Sequence, residues 1–156
     1  MTRDSETVER EALGFNKNLT YRLTRLQNKL NAQAAQILRN HDGPTLTDWR
    51  ILRILNSLKQ STLAEIVSLT NMDKGQLSRR ISALVEQGMI HAQPDVDDFR
   101  KQNLTISETG RAAHERVLPA MRARRNHLAN EISEEEYATF LSVLDRINTA
   151  ANNRDF

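Results

Sequence analysis

Between Asp73 and Gln87 the chain places Lys74, Gly75, Gln76, Ser78, Arg79 and Ser82 opposite a repeat of Leu77, Ile81, Leu84 and Val85. The polar set suits a DNA duplex. Arginine forks onto the two major-groove acceptors of guanine, and glutamine does the same for adenine. The Ser78 hydroxyl is short enough to reach a phosphate or a base edge. Gly75 removes a side chain where backbone and duplex would come closest. A recognition helix reads bases with its N-terminal part, where these groups lie. A solvated helix face with no partner carries similar residues, so this segment alone does not decide the matter.

A second group lies in Asp95-Val96-Asp97-Asp98-Phe99-Arg100-Lys101, a basic pair beside acids. Arg100 or Lys101 fits a narrow minor groove, where the potential is most negative. Asp98, two residues earlier, can hold the Arg100 guanidinium in one pose. The plain alternative is a solvated loop. Ser61 and Thr62 add hydroxyls suited to phosphate.

Other chemistries find little support. There is no cysteine, which removes disulfides, thiolate metal sites and thiol nucleophiles. His41, His91, His114 and His127 are scattered without metal-ligand spacing, and no phosphate loop, His-Glu-x-x-His or nucleophile elbow occurs. No catalytic residue, metal or cofactor is expected, and a hydrolase is the weaker reading. Net charge is only +2, but it is uneven. Asn16 to His41 holds five basic residues and no acid, and Arg111 to His127 holds five arginines against one glutamate. Such faces suit a polyanion, and they also suit plain solvation. The 156 residues suffice for one domain with a real core. No apolar run is long enough to span a membrane, and the polar Met1–Glu11 segment lacks a secretory pattern, so the cytoplasm is the expected compartment.

Helices must position these groups. Leu19, Leu23, Leu26, Leu30, Ala34, Ile37 and Leu38 predict a long amphipathic helix from about Phe15 to Asn40, broken by Asp42-Gly43-Pro44. Thr47 is the expected cap of a second helix, with Asp48 in its first turn, Trp49, Leu52, Leu55 and Leu58 buried, and Gln60-Ser61 as its end. Thr62 and Glu65 form a capping box for a short third helix with Leu63, Ile66 and Val67 inward. Asp73 caps a fourth, and Gly88 stops it. Met89–Gln93 and Asn103–Ile106 read as two strands of a hairpin around a charged tip from Pro94 to Gln102. Ser107-Glu108-Thr109 opens a fifth helix with Ala113, Val117, Ala120, Met121 and Leu128 in line, and Pro119 predicts a kink or a local break. Ser133–Glu136 is a second capping box, with Ile132 and Tyr137 as a hydrophobic staple, and Tyr137, Phe140, Leu141, Leu144, Ile147 and Ala151 stripe the sixth helix. The last residues, Asn152–Phe156, are expected to fray. The fold class is mainly α with a small β-hairpin wing. It is expected as one domain (1–156), with a winged helix-turn-helix lobe over 45–110 and helical dimerisation regions over 15–41 and 111–152.

Asp98-Phe99-Arg100 followed by Leu104-Thr105-Ile106-Ser107-Glu108-Thr109-Gly110 resembles the wing signature of the multiple-antibiotic-resistance regulator (MarR) family. There an Asp-x-Arg tip leads into Leu-x-Leu-Thr-x-x-Gly, and Ile106 and Ser107 replace the commoner Leu and Thr. Leu46-Thr47-Asp48-Trp49-Arg50-Ile51-Leu52 is similar to the family's second helix. Leu77-Ser78-Arg79 with Leu84-Val85-Glu86-Gln87-Gly88-Met89-Ile90 is similar to its recognition helix and exit. The resemblance spans nearly the whole chain and implies a homodimer joined through its first, fifth and sixth helices. It also implies a palindromic double-stranded DNA operator, repression by occupancy, and release by a small aromatic or anionic effector. Tyr21, Arg22, His41 and Trp49 are the candidate effector contacts under that resemblance. An activator of the same fold, or a helical protein-interaction module without DNA binding, are the competing readings.

Overall fold

Residue types that favour caps and turns set the limits of each element. A computed structural model describes Gly14 and residues 17–70, 72–95 and 101–153. Among these, six helices and three strands follow one another: α1 (Leu19–Asn40), α2 (Leu46–Leu58), β1 (Gln60–Thr62), α3 (Leu63–Thr70), α4 (Lys74–Glu86), β2 (Ile90–Pro94), β3 (Gln102–Ile106), α5 (Glu108–Ala129) and α6 (Glu134–Ala150). The chain divides into two compact units at Leu118/Pro119.

In the first unit α1 starts at Asn18, whose side chain accepts the Tyr21 amide. The expected start at Phe15 lies outside the described residues. Of the α1 stripe only Ala34 and Leu38 are buried, and Leu19 and Leu26 are exposed. The cap of α2 is Thr45, two residues before the expected Thr47: its hydroxyl accepts the Asp48 amide and donates to the Asp48 carboxylate at 2.7 Å. Leu58, expected inside, is 51% exposed, because the helix stops there and Lys59 turns the chain with a φ of 71°. Ile51, outside the expected set, is fully buried.

Gln60-Ser61 does more than end a helix. With Thr62 it forms a third strand, antiparallel to β3, in a sheet ordered β1-β3-β2. In the hairpin, Ile90 pairs with Ile106 and Pro94 with Gln102. The core gathers Leu52, Leu55, Ile66, Leu77, Leu84, Ile90 and Leu104, one or two from each of α2, α3, α4, β2 and β3.

The exit of the hairpin is welded to the end of α4. Ser107 Oγ donates to the Gly88 carbonyl at 2.6 Å and accepts the Gly110 amide at 3.0 Å, while the Ser107 amide donates to the Met89 carbonyl. A side chain at position 110 would put Cβ 2.1 Å from the Met89 carbonyl oxygen, so only glycine lets α5 start this close to the strand.

Helix α5 continues without a break past Pro119. Proline deprives one carbonyl a turn earlier of its partner, a loss one turn of an otherwise intact helix tolerates. In the second unit the Ser133 hydroxyl accepts the Glu136 amide and the Glu136 carboxylate accepts the Ser133 amide at 2.8 Å, the expected capping box. No residue of α6 is buried, and Ile132, Tyr137, Phe140 and Leu141 are all exposed. The Ala151 amide closes this helix on the Ile147 carbonyl, and the last three residues of the expected frayed tail lie outside the described set.

Candidate nucleic-acid interface

Helix α4 begins where the Asp73 carboxylate accepts the Gln76 amide at 2.9 Å. A helix turns about 100° per residue, so Gly75, Ser78, Arg79 and Ser82 share one face and Leu77, Ile81 and Leu84 another. The second face is buried in the core, while Lys74, Gly75, Gln76, Ser78, Arg79 and Ser82 are all exposed. The polar face is thus turned outward by the apolar one. A Cβ added at Gly75 would meet nothing but the Asp73 carboxylate oxygen, at 3.2 Å. The fold therefore makes little demand for glycine there.

The hairpin extends from the end of α4. Its strands are held together on the tip side, where the Asp95 amide donates to the Lys101 carbonyl at 3.0 Å and Asn103 Nδ2 donates to the Asp95 carboxylate at 2.8 Å. Lys101 is exposed at that end. Asp98 and Arg100 lie outside the described residues.

Thr62 and Glu65 form the expected box: the Thr62 hydroxyl accepts the Glu65 amide at 3.3 Å, and the Glu65 carboxylate accepts the Thr62 amide at 2.7 Å. Ser61, expected to contact phosphate, is only 2% exposed and donates its hydroxyl to that same carboxylate at 2.9 Å. Packing inside the lobe therefore consumes Ser61. The Thr62 amide, followed by the Ser61 and Thr62 side chains, holds the Glu65 carboxyl below its ordinary pKa. That keeps a negative charge beside Thr62, which opposes a phosphate at this point.

The four candidate effector contacts do not converge within one protomer. Tyr21 and Arg22 lie in the first turn of α1 and His41 caps its far end, about 30 Å away at the helical rise. Trp49 is 6% exposed and works as core: its ring stacks on His114 with centroids 6.1 Å apart and planes 13° apart, and the Arg53 guanidinium lies 5.4 Å from its centroid. The burial that the spacing of Trp49 indicates is met, and the buried Trp49 Nε1 has no hydrogen-bond partner among the described residues.

No motif or spacing signals the ion pair that holds α4 from the side. Asp48, 4% exposed, receives a forked pair of bonds from Arg80: Nε to Oδ1 at 2.9 Å and Nη2 to Oδ2. The hydrogen bond to Asp48 raises the Arg80 pKa further above its ordinary value, against a smaller effect of burial. Residues 32 apart in sequence meet here, with no local spacing to betray them. Helix α2 is also tied to α1 through Asn31, which accepts from Arg50 at 2.7 Å, and to α5 through Asn56, which accepts from Arg111 at 2.9 Å.

The arrangement is a helix with an outward polar face, held by a short capped helix on one side and a projecting hairpin on the other. A family model described as the MarR family matches residues 42–101, the stretch from the α1–α2 turn through the hairpin. An HTH-type transcriptional regulator of Bacillus cereus is 26% identical over 137 residues, covering 86% of this chain and 89% of its own. Among solved structures, a mutant MarR from E. coli complexed with operator DNA superposes with a TM-score of 0.66 at 21% identity, covering 80% of this chain and 92% of that one. Bordetella bronchiseptica BpsR, whose DNA binding is regulated by 6-hydroxynicotinic acid, superposes with a TM-score of 0.75 at 19% identity, covering 86% and 95%. The two structural matches establish a shared winged-helix fold.

Proposed function

We propose that this chain is a winged helix-turn-helix regulator of the MarR family, a reading supported by the family match over residues 42–101 and by the 26% identical regulator, and that it is a homodimeric repressor of a palindromic DNA operator, released by a small aromatic or anionic molecule. The observation that carries the reading is the outward polar face of α4, with Gln76, Ser78 and Arg79 on the exposed side of a helix whose other side is core. Gln76 and Arg79 read base edges, with Ser78 and Ser82 beside them and Lys74 on phosphate. Gly75 lets the helix start approach closely. Lys101 and Arg100 serve the minor groove, with Asp98 as the partner of Arg100. The basic helices supply phosphate contacts that hold the register without choosing sequence.

Each unit supports dimerisation on its own. In the first, α1 leaves Leu19, Tyr21 and Leu26 exposed, and in the second, α6 leaves Tyr137, Phe140 and Leu141 exposed. A partner related by a two-fold axis covers such surfaces, and a two-fold dimer matches an inverted repeat. On this reading 45–110 is the DNA lobe, 15–41 and 111–152 are the dimerisation helices, and the protein acts on cytoplasmic DNA without catalysis. No helix among the described residues is long and apolar enough to cross a membrane.

The test is an electrophoretic shift of the duplex upstream of the protein's own gene, repeated with aromatic acids and their thioesters. Selective retardation, weakened about a thousandfold between roughly 50 and 200 mM salt, is the expected result. Release by at least one of the compounds supports the effector. Equal, weak retardation of every duplex tried overturns the reading.

A further inference from the structure

We propose that Arg80 is a positioning residue, which through its fork onto Asp48 sets the rotation of α4 about its own axis and so decides which side chains of that helix meet the bases. The inference rests on the DNA-reading role given to α4 above.

Arg80 and Arg79 are neighbours with different fates. Arg79 is exposed on the outward face with Ser78 and Ser82. Arg80 is turned by about 100° from it, toward the start of α2, and two of its nitrogens are engaged by one carboxylate. The Nε–Nη2 edge of the Arg80 guanidinium is thus spent inside the lobe.

The other contacts of α4 do not fix its rotation as firmly. Leu77, Ile81 and Leu84 pack by apolar contact, which is non-directional and tolerates a few degrees of roll. A two-point fork between planar groups is directional. Its acceptor is itself immobile. Asp48 is buried, its carboxylate accepts from the Thr45 hydroxyl at 2.7 Å, and its amide donates back to that hydroxyl, so it stands fixed in the first turn of α2. Helix α2 in turn is tied to α1, where Arg50 donates to Asn31, and to α5, where Arg111 donates to Asn56. The fork therefore refers the angle of the reading helix to the body of the lobe. A roll of α4 would carry Gln76, Ser78 and Arg79 together to new positions against the duplex, changing which bases they meet while leaving phosphate contacts nearly alone.

The experiment compares the full-length protein with Asp48→Asn, Arg80→Met and Arg80→Lys. Three readouts are taken: affinity for the best duplex selected by the unaltered protein, the salt dependence of that affinity, and preference among single-base variants of the duplex. A fourth, free of DNA, is the orientation of α4 relative to α2 from residual dipolar couplings. Expected are a tenfold or greater loss of selective binding in Arg80→Met, a salt slope equal to that of the unaltered protein, altered base preference in all three variants, and a changed α4 orientation. Arg80→Lys keeps the charge without the fork, so it holds the fold while still shifting preference. A salt slope reduced by about one in Arg80→Met, with Asp48→Asn binding as before, makes Arg80 a phosphate contact and overturns the proposal. Unaltered base preference, or an unaltered α4 orientation, also overturns it. Failure of the unaltered protein to select any duplex overturns the DNA-reading role instead, and the dipolar couplings still decide whether the fork sets the helix.

Discussion

Replacing Gly75 with alanine separates what the fold needs from what the interface needs. Alanine is favoured over glycine within a helix by up to about 1 kcal/mol, because glycine loses more backbone freedom on folding. The added Cβ would lie 3.2 Å from the Asp73 carboxylate oxygen and touch nothing else. That oxygen also accepts the Gln76 amide, so it must shift by a few tenths of an ångström without losing the cap. The two effects oppose each other, and the net change in stability stays within about 1 kcal/mol, or about 4 °C in Tm for a chain of this size. The interface has no such compensation. Position 75 is exposed at the start of α4, where backbone amides come nearest a phosphate. A methyl group there holds the backbone away from the duplex, and the expected loss of affinity is tenfold or more, about 1.4 kcal/mol. Thermal melts and fluorescence anisotropy on one labelled duplex measure both sides. An alanine variant that melts normally and binds with undiminished affinity would refute the close approach of α4 to DNA.

Arg79→Ala should cost about 1–3 kcal/mol of operator binding and relax preference at one base pair, as seen by titrating single-base variants; unchanged affinity and preference would remove Arg79 from the reading face. Gly110→Ala drives Cβ to 2.1 Å from the Met89 carbonyl oxygen, and the expected cost of about 3 kcal/mol lowers Tm by about 6–12 °C; a calorimetric melt within about 2 °C of the unaltered protein, less than about 1 kcal/mol would give, argues against the weld. Glu65 and Glu136 are both held below their ordinary pKa, first by the backbone amides of Thr62 and Ser133. Their folded pKa lies below the unfolded one, so the capping stability is complete above the ordinary carboxylate range and is lost as pH falls through the lowered values. Glu65→Gln and Glu136→Gln should each flatten the acid limb of a pH-stability curve, and curves that fall in parallel with that of the unaltered protein would contradict the assignment.

Much of the lobe was legible because its signals are local. Asp73, Thr62 with Glu65, and Ser133 with Glu136 each announce a helix start within four residues, and all three stand where expected. The alternation of Leu77, Ile81 and Leu84 with exposed polar residues fixed the outward face of α4 in the same way. The start of α2 was missed by two residues, because Thr45 and Thr47 are both competent caps and only Asp48, three residues beyond Thr45, completes the exchange. Strand β1 is three residues long and has no alternation to read, since it exists only by pairing with β3, more than forty residues later. Ser61 looked like a phosphate ligand by type, but burial decided its partner. The fork between Asp48 and Arg80 joins two helices across the core, a relation that no sequence spacing encodes.

The central claim is that two copies of α4 read DNA on a two-fold axis. Selection of bound duplexes from a random pool, followed by sequencing, tests it most directly. The account predicts an inverted repeat whose half-sites are centred about one helical turn apart, roughly 10 base pairs, degraded at the same position in both halves by Arg79→Ala. A pool with no enriched sequence, or enrichment of a single unrepeated site indifferent to Arg79, would contradict it.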